Sequence, residues 1–113
     1  MNFPLRITYR DIEPTPAIEA AVREHADKLS KYHSRISSCE VAIEAPHHRH
    51  RKGNHYRVRV EVIVPGREIV VGRDPKDASD HEDVYVAIRD AFDAAARALA
   101  HYVDRKRDLA RQP

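Results

Sequence analysis

The hydrophobic residues of this chain repeat with two different periods, and the order of those periods limits the fold that it can adopt. Three segments, over 3–9, 39–45 and 56–64, alternate apolar with polar residues. This period of two is typical of strands that bury one face. Pro65-Gly66 then predicts a tight turn into a short fourth strand from Glu68 to Gly72. Because so short a turn joins the last two strands, we expect them to be antiparallel.

Two other segments repeat every three or four residues, as amphipathic helices do. The first begins after Thr15, a predicted N-cap followed by proline at the first helical position, and runs to about Tyr32. Its predicted buried stripe consists of Ile18, Ala21, Val22, His25, Leu29 and Tyr32. The second runs from about His81 to Lys106, with Asp80 as its predicted N-cap. Its predicted inner face consists of Val84, Ile88, Ala91, Phe92, Ala95, Leu99, Tyr102 and Val103.

The order β-α-β-β-β-α predicts an α+β fold with two layers. A right-handed crossover makes the first two strands parallel, and both helices cover the one sheet face that must be hidden from water. We therefore expect a four-stranded mixed sheet with two helices packed on one face. The opposite face would expose Arg6, Arg10, Glu40, Glu44, Arg57 and Arg59. Residues 1–107 are expected to form a single domain, and 108–113 a short C-terminal tail.

The length and composition exclude several classes of protein. A chain of 113 residues is long enough for one domain with a modest core. No apolar run approaches the roughly 20 residues of a membrane span, and the N-terminus lacks a signal-peptide pattern. We therefore expect a cytoplasmic protein with no membrane partner. Cys39 is the single cysteine, which excludes an intramolecular disulfide and predicts a buried, inert thiol.

The histidine-rich loop from Pro46 to Asn54 is the clearest candidate for a metal site. It holds three histidines within 47–50, and imidazole binds zinc, nickel or copper. Three interleaved cations, Arg49, Arg51 and Lys52, oppose an incoming dication, and no carboxylate is closer than Glu44. We expect no metal here and interpret the segment as a solvated or polyanion-facing basic loop.

The rest of the sequence contains no motif typical of a catalytic or cofactor site. The acidic loop from Asp74 to Asp80 does not match the spacing of the twelve-residue calcium loop. The chain has three glycines and no glycine-rich phosphate loop. Cys39 falls on the apolar side of a strand, and neither Ser30 nor Ser34 lies in a nucleophile elbow. We expect neither an enzyme, nor a cofactor, nor a small-molecule substrate.

Charge is segregated along the chain although the formal net charge is only +2. Residues 46–60 contain five cations and no acid, 74–93 contain two cations and seven acids, and 94–113 contain five cations and two acids. Such blocks create an oriented field that steers an anionic partner onto one side of the protein. Outward-facing helix cations suit phosphate contacts, and folded RNA is recognised largely through shape and backbone. The alternative is a solvated face laced with salt bridges, since Glu24 to Lys28 and Asp93 to Arg97 are i,i+4 pairs.

Three short motifs, in order and at fitting intervals, carry a resemblance to a known family. They are Arg10-x-Ile12-Glu13 after the first strand, Lys28-Leu29-Ser30-Lys31-Tyr32 with Arg35-Ile36 closing the first helix, and Asp83-x-Tyr85-x-Ala87-Ile88 opening the second. The chain resembles the ribosome hibernation promoting factors, or ribosome-associated translation inhibitors, also known as sigma-54 modulation proteins. The similarity extends to about Lys106.

This resemblance implies a function and a partner. Similar proteins lodge in the small ribosomal subunit between head and body, where messenger and transfer RNA would sit, with basic helix faces on ribosomal RNA. It therefore implies inhibition of translation by steric occlusion and protection of idle ribosomes in stress or stationary phase. The chain looks like the short type, without the C-terminal domain that pairs ribosomes, so a separate factor would be needed for ribosome dimerisation.

The predicted RNA-binding set combines the cations read from the sequence with those matched to the family. It consists of Arg23, Lys28, Lys31, Arg35, Arg49, Arg51, Lys52, Arg89, Arg97, His101, Arg105 and Lys106. The chain departs from the family pattern at three positions. Ala94 stands where a lysine is common in the family, His101 stands where the family has another basic site, and His33 stands where the family has an aromatic residue after the position of Tyr32. A different hypothesis is a protein-interaction or transcription-modulating module that acts through the exposed sheet face.

Overall fold

The computed structural model describes residues 1–45, 55–72 and 79–111, which form one sheet and two helices. The four predicted strands and both helices follow one another in the predicted order, with one additional short strand. The strands are β1 (Leu5–Arg10), β2 (Ser38–Glu44), β3 (Tyr56–Val64), β4 (Arg67–Val71) and β5 (Ser79–His81), and the helices are α1 (Pro16–Lys28) and α2 (Val84–Arg111). A single 3₁₀ turn, Leu29–Lys31, follows α1 directly. Within these ranges no helix combines the length and the apolar character that crossing a bilayer requires.

The sheet has the predicted mixed topology, with β1, β2, β3 and β4 side by side in that order. β1 lies parallel to β2, with Leu5 opposite Cys39 and Arg10 opposite Glu44, because α1 carries the chain back between them. β2, β3 and β4 are antiparallel neighbours. The prediction of a four-stranded mixed sheet in an α+β fold is therefore confirmed.

A short fifth strand departs from the prediction. Residues Ser79–His81 pair antiparallel with the start of β3, Tyr56 opposite His81, whereas the sequence predicts a loop up to Asp80 and a helix from His81. Three residues are too few to display a period, and backbone pairing with β3 places them in the sheet. The histidine-rich loop from Pro46 to Asn54 and residues 74–78 of the acidic loop lie outside the described residues.

Helix α1 begins where predicted and ends earlier than predicted. The Thr15 hydroxyl oxygen accepts a hydrogen bond from the Ile18 N–H at 3.1 Å, which confirms Thr15 as the N-cap. The α-helical period stops at Lys28, so the predicted buried stripe does not extend to Tyr32, whose side chain is 43% exposed. Ala26, which the predicted stripe omits, is fully buried instead.

Helix α2 begins after Asp83 rather than after the predicted cap Asp80. An Asp83 carboxylate oxygen accepts a hydrogen bond from the Tyr85 N–H at 2.9 Å, and the Asp83 carbonyl accepts the first helical bond, from the Ala87 N–H at 3.0 Å. The helix also continues past the predicted end at Lys106 to Arg111, since no glycine or proline interrupts it. At about 1.5 Å per residue, its 28 residues span about 42 Å.

The hydrophobic core lies between the sheet and the two helices, as predicted. It is formed by alternate residues of the strands, by the inner sides of both helices and by the 3₁₀ turn; its fully buried members include Val41, Ile43, Val58, Val60, Val22, Leu29, Ile88 and Leu99. The other sheet face is charged. Arg6, Arg10, Glu40 and Arg59 are exposed there, and Arg6 lies 3.9 Å from Glu40.

The N-cap of α2 leads to a prediction about stability. Replacing Asp83 by alanine is expected to lower the free energy of unfolding by about 1 kcal/mol, because the first turn of α2 loses a hydrogen-bond acceptor and a charge favourable to the helix dipole. Asp83→Asn keeps a capping oxygen and is expected to retain most of the stability. Denaturant unfolding of the three proteins measures both effects, and equal midpoints for native and alanine forms would contradict this cap.

Candidate nucleic-acid interface

Two ring contacts between the helical segments set the relative direction of α1 and α2. His25 of α1 stacks on Phe92 of α2 with ring centroids 5.8 Å apart, and His33, just beyond the 3₁₀ turn, stacks on Tyr102 at 6.4 Å. Residue numbers rise together along both segments, so the helices run in the same direction. The end of the first helical segment therefore lies beside the second half of α2.

Basic side chains collect where these two segments meet, and we call this group the cationic end. It consists of Lys31, Arg35, Arg97, His101, Arg105 and Lys106, all of them exposed. Over 29–36 the chain has two cations and no acid, and over 97–107 it has four cations and one acid. The cationic end therefore presents to solvent a positive field that attracts a polyanion.

The salt bridges separate this end from the rest of the helical layer. Outside it, Arg23 contacts Glu19 at 3.0 Å, Lys28 contacts Glu24 at 3.8 Å and Arg89 contacts Asp90 at 3.1 Å, each exposed to solvent. Those three predicted RNA-binding residues thus already have acidic neighbours.

Among the residues that the structure describes, three members of the cationic end have no such neighbours. Across the described ranges, no carboxylate oxygen lies within 4.0 Å of the charged nitrogens of Lys31, Arg35 or Arg97. The i,i+4 pair expected between Asp93 and Arg97 is therefore not formed, while that between Glu24 and Lys28 is. A salt-bridge-laced surface describes the first part of the helical layer and not its cationic end.

Tyr102 connects three elements at the cationic end. Its hydroxyl donates a hydrogen bond to the Pro65 carbonyl at 3.0 Å, so α2 is tied to the turn between β3 and β4. The Arg67 guanidinium carbon and the Lys106 ammonium nitrogen each lie 5.6 Å from the centre of its ring. Cations at this distance are attracted to the ring face, which holds both side chains in place.

The turn beside Tyr102 requires glycine. Gly66 has a φ of +81°, and a Cβ on it would lie 3.3 Å from the Tyr102 hydroxyl oxygen. Sequence reasoning places Tyr102 only on the inner face of the helix and omits Arg67 from the predicted set. No local signal links these residues, because the hydrogen bond joins positions 37 apart in the chain.

The surroundings of His33, at the cationic end, shift the pKa of its side chain. Partial burial, followed by the positive charges of Lys106 and Arg35, lowers the pKa of His33 below its ordinary value of 6.5. Its Nδ1 accepts a hydrogen bond from the Arg35 N–H at 2.9 Å, so the neutral ring carries its hydrogen on Nε2.

This lowered pKa predicts how stability depends on pH. Because the unfolded chain takes up the His33 proton more readily than the folded chain, stability is lost as the pH falls through the range just below 6.5. His33→Phe keeps a ring beside Tyr102 and cannot be protonated. We expect its free energy of unfolding, relative to that of the native protein, to increase as the pH is lowered from about 7.5 to about 5.5. Parallel denaturation curves over that range would contradict the assignment.

The outer sheet face has a different electrostatic character. A hydrogen bond with Glu68, together with burial and the charges of Glu68 and Glu40, raises the pKa of Glu61. Carboxylates therefore crowd together on this face, next to Arg59. Such a mixed surface attracts phosphate much less than the cationic end does.

Two other positions that the sequence analysis considered are the single thiol and the histidine-rich loop. Cys39 is buried, as predicted, and burial followed by the charge of Glu40 raises the pKa of its thiol to about 12. In the part of the chain that the structure describes, no three His, Cys, Asp or Glu side chains are grouped so as to hold a metal ion. Arg49, Arg51 and Lys52 of the predicted RNA-binding set lie outside the described residues.

The fold and this surface define a class: a two-layer α+β domain with parallel helices that present an exposed basic end. Comparison with family models gives the family. The chain belongs to the family described as sigma 54 modulation protein / S30EA ribosomal protein, whose model matches residues 5–107. The resemblance drawn from the three short motifs is thereby confirmed.

Two solved structures share this fold. The Protein Y N-terminal domain of Thermus thermophilus has 21% sequence identity and a TM-score of 0.69, over 86% of this chain and 94% of that one. A ribosomal subunit interface protein from Coxiella burnetii has 15% identity and a TM-score of 0.72, over 89% of this chain and 98% of that one. A comparison with curated protein sequences found no match.

Proposed function

We propose that this protein binds the small ribosomal subunit near its decoding region and inhibits translation by occluding messenger and transfer RNA. It would act in the cytoplasm and protect idle ribosomes in stress or stationary phase. The observation that carries the proposal is an exposed cationic end in which, among the described residues, Lys31, Arg35 and Arg97 have no salt-bridge partner. The chain also belongs to a family described as including ribosomal proteins. The name of the Coxiella burnetii neighbour, a ribosomal subunit interface protein, points to the same kind of partner.

The physical basis of binding is the replacement of counterions by fixed cations. Each arginine or lysine that contacts a phosphate releases counterions from the RNA, and this release favours association. Arginine side chains, such as those of Arg35, Arg97 and Arg105, hold a phosphate with two parallel hydrogen bonds. Occupancy alone accounts for inhibition, so the proposal includes no chemical step, and the residues of the cationic end act as binding residues.

Sedimentation with purified small ribosomal subunits tests this function. The native protein is expected to travel with the subunits through a density gradient, and to compete there with messenger RNA. If about six phosphates are contacted, the logarithm of the association constant should fall with the logarithm of salt concentration with a slope on the order of −4 to −5. A flat salt dependence, or a protein that stays at the top of the gradient, would contradict the proposal.

The sheet face supports a second candidate, a module that binds a regulatory protein. A small cavity of about 80 Å³ opens there between Thr8, Ala42 and Glu61, among side chains of both charges. This candidate predicts that replacements of Arg57 and Arg59 impair function while those of Lys28 and Lys31 do not. Ribosome binding through the cationic end predicts that Lys31 matters and Arg59 does not.

A further inference from the structure

A shallow cavity opens in the cationic end, between the 3₁₀ turn and the second half of α2. It has a volume of about 270 Å³ and is lined by Ser30, Lys31, Tyr32, His33, Ser34 and Val103. This volume is just below the range of roughly 300 to 1,000 Å³ that is usual for pockets that take drug-sized ligands. The cavity therefore suits a ligand about the size of one planar ring with a small substituent.

Its lining combines the three kinds of group that hold a nucleotide. Tyr32 and His33 supply aromatic rings, Ser30 and Ser34 supply hydroxyl groups, and Lys31 supplies a positive charge. RNA-binding proteins stack unpaired bases on aromatic side chains and hold the phosphate with a cation. No acidic residue lines the cavity, and residues 29–36 contain none.

Tyr32 is the ring best placed to receive a base. Its side chain is 43% exposed, although large aromatic residues gain stability from burial. His33, by contrast, already stacks on Tyr102, and its Nδ1 is occupied by the Arg35 N–H. Among the described residues, the ring contacts at this end are those of His33 and Tyr102, and Tyr32 takes part in none of them.

We propose that this cavity binds one unpaired nucleotide of the RNA partner, with its base stacked on Tyr32 and its phosphate beside Lys31. The inference rests on the proposed function, since it names a subsite within that RNA contact. It assigns to Tyr32 a role different from that of the surrounding cations: stacking contributes an affinity that does not depend on salt, whereas each cation contributes one that does.

Alanine replacement at two equally exposed tyrosines separates these contributions. Tyr85, 45% exposed on the first turn of α2, is the matched control for Tyr32. With purified small ribosomal subunits, Tyr32→Ala is expected to bind about tenfold more weakly or worse at every salt concentration, with an unchanged salt slope. Tyr85→Ala is expected to bind like the native protein, and Lys31→Ala to reduce the magnitude of the slope by about one. Native affinity of Tyr32→Ala for the subunits would overturn the inference.

A fluorescent reporter tests the stacking directly and without ribosomes. The chain contains no tryptophan, so Tyr32→Trp and Tyr85→Trp each carry a single indole. A short single-stranded RNA oligomer is expected to quench the indole at position 32 and not that at 85, because only a stacked base lies against the ring. Equal quenching at both positions, or none at 32, would overturn the inference.

The two experiments fail independently. If small subunits do not bind the native protein but the oligomer quenches the indole at position 32, the proposed function fails and the nucleotide site stands. If subunits bind the native protein and Tyr32→Ala equally well, the nucleotide site fails and the proposed function stands.

Discussion

Reversing three charges of the cationic end, Lys31→Glu, Arg35→Glu and Arg105→Glu, is expected to weaken binding to small ribosomal subunits by at least about 100-fold. Hydrogen bonds to charged groups each contribute about 1.5 to 3 kcal/mol, and 1.4 kcal/mol corresponds to a factor of ten in affinity. The three side chains are exposed, so the fold is expected to survive the replacements. The magnitude of the salt slope should also fall, by about three.

A control with the same change of net charge distinguishes a local contact from a general field. Arg6→Glu, Arg10→Glu and Arg59→Glu reverse three charges on the opposite, outer face of the sheet. This variant is expected to bind within a fewfold of the native protein, because its replaced residues lie on the sheet face away from the helices. Both variants can be measured by co-sedimentation and by inhibition of translation in a cell-free system. The cationic end is not the binding surface if the variant with its three charges reversed inhibits translation as well as the native protein does. The same conclusion follows if only the variant of the sheet face loses binding.

Replacing Phe92 by alanine is expected to lower the free energy of unfolding by about 3 to 5 kcal/mol. Phe92 is 2% exposed, and its ring stacks on His25 of α1. The replacement removes buried apolar surface and leaves a cavity between the two helices. Since domains of this size are stable by about 5 to 15 kcal/mol, such a loss is a large part of the total.

The matched control for Phe92 is an exposed aromatic residue on the same helix. Tyr85→Ala is expected to change the free energy of unfolding by no more than about 0.5 kcal/mol, because that residue is 45% exposed and lies outside the buried core. Denaturant unfolding, with the same slope for all three proteins, gives the comparison. A loss of less than about 1 kcal/mol in Phe92→Ala would show that the helical layer does not depend on this contact.

Much of the fold could be predicted because its elements have strong local signals. The alternation from Tyr56 to Val64 has a buried face and a polar face, and in the structure that stretch is the strand β3, which lies between β2 and β4 in the sheet. The cap at Thr15 was equally local, since the hydroxyl and the N–H that it accepts are three residues apart. Such features depend on neighbours in sequence, which a single chain displays directly.

The errors fall where contacts distant in sequence compete with local pattern. Asp80 and Asp83 are both good capping residues, and pairing of Ser79–His81 with β3 decides between them. Tyr32 continues the helical spacing of Leu29, but the α-helix has already ended at Lys28, so that spacing no longer predicts burial. In both cases the local pattern allows two outcomes, and the sheet or the end of the helix selects one.

The sequence by itself determined the order of the four main strands and the two helices, the single buried thiol and the presence of many cations in the two helical segments, because periodicity and composition are properties of the chain alone. Only the tertiary structure decided which cations lie together. Two ring contacts, His25 with Phe92 and His33 with Tyr102, align the two helices in the same direction. Lys31 and Arg35 therefore lie beside the second half of α2. Within the described part of the helical layer, salt bridges involve Arg23, Lys28 and Arg89, whereas Lys31, Arg35 and Arg97 have no such partner, because charges pair according to distance in space and not according to position in sequence.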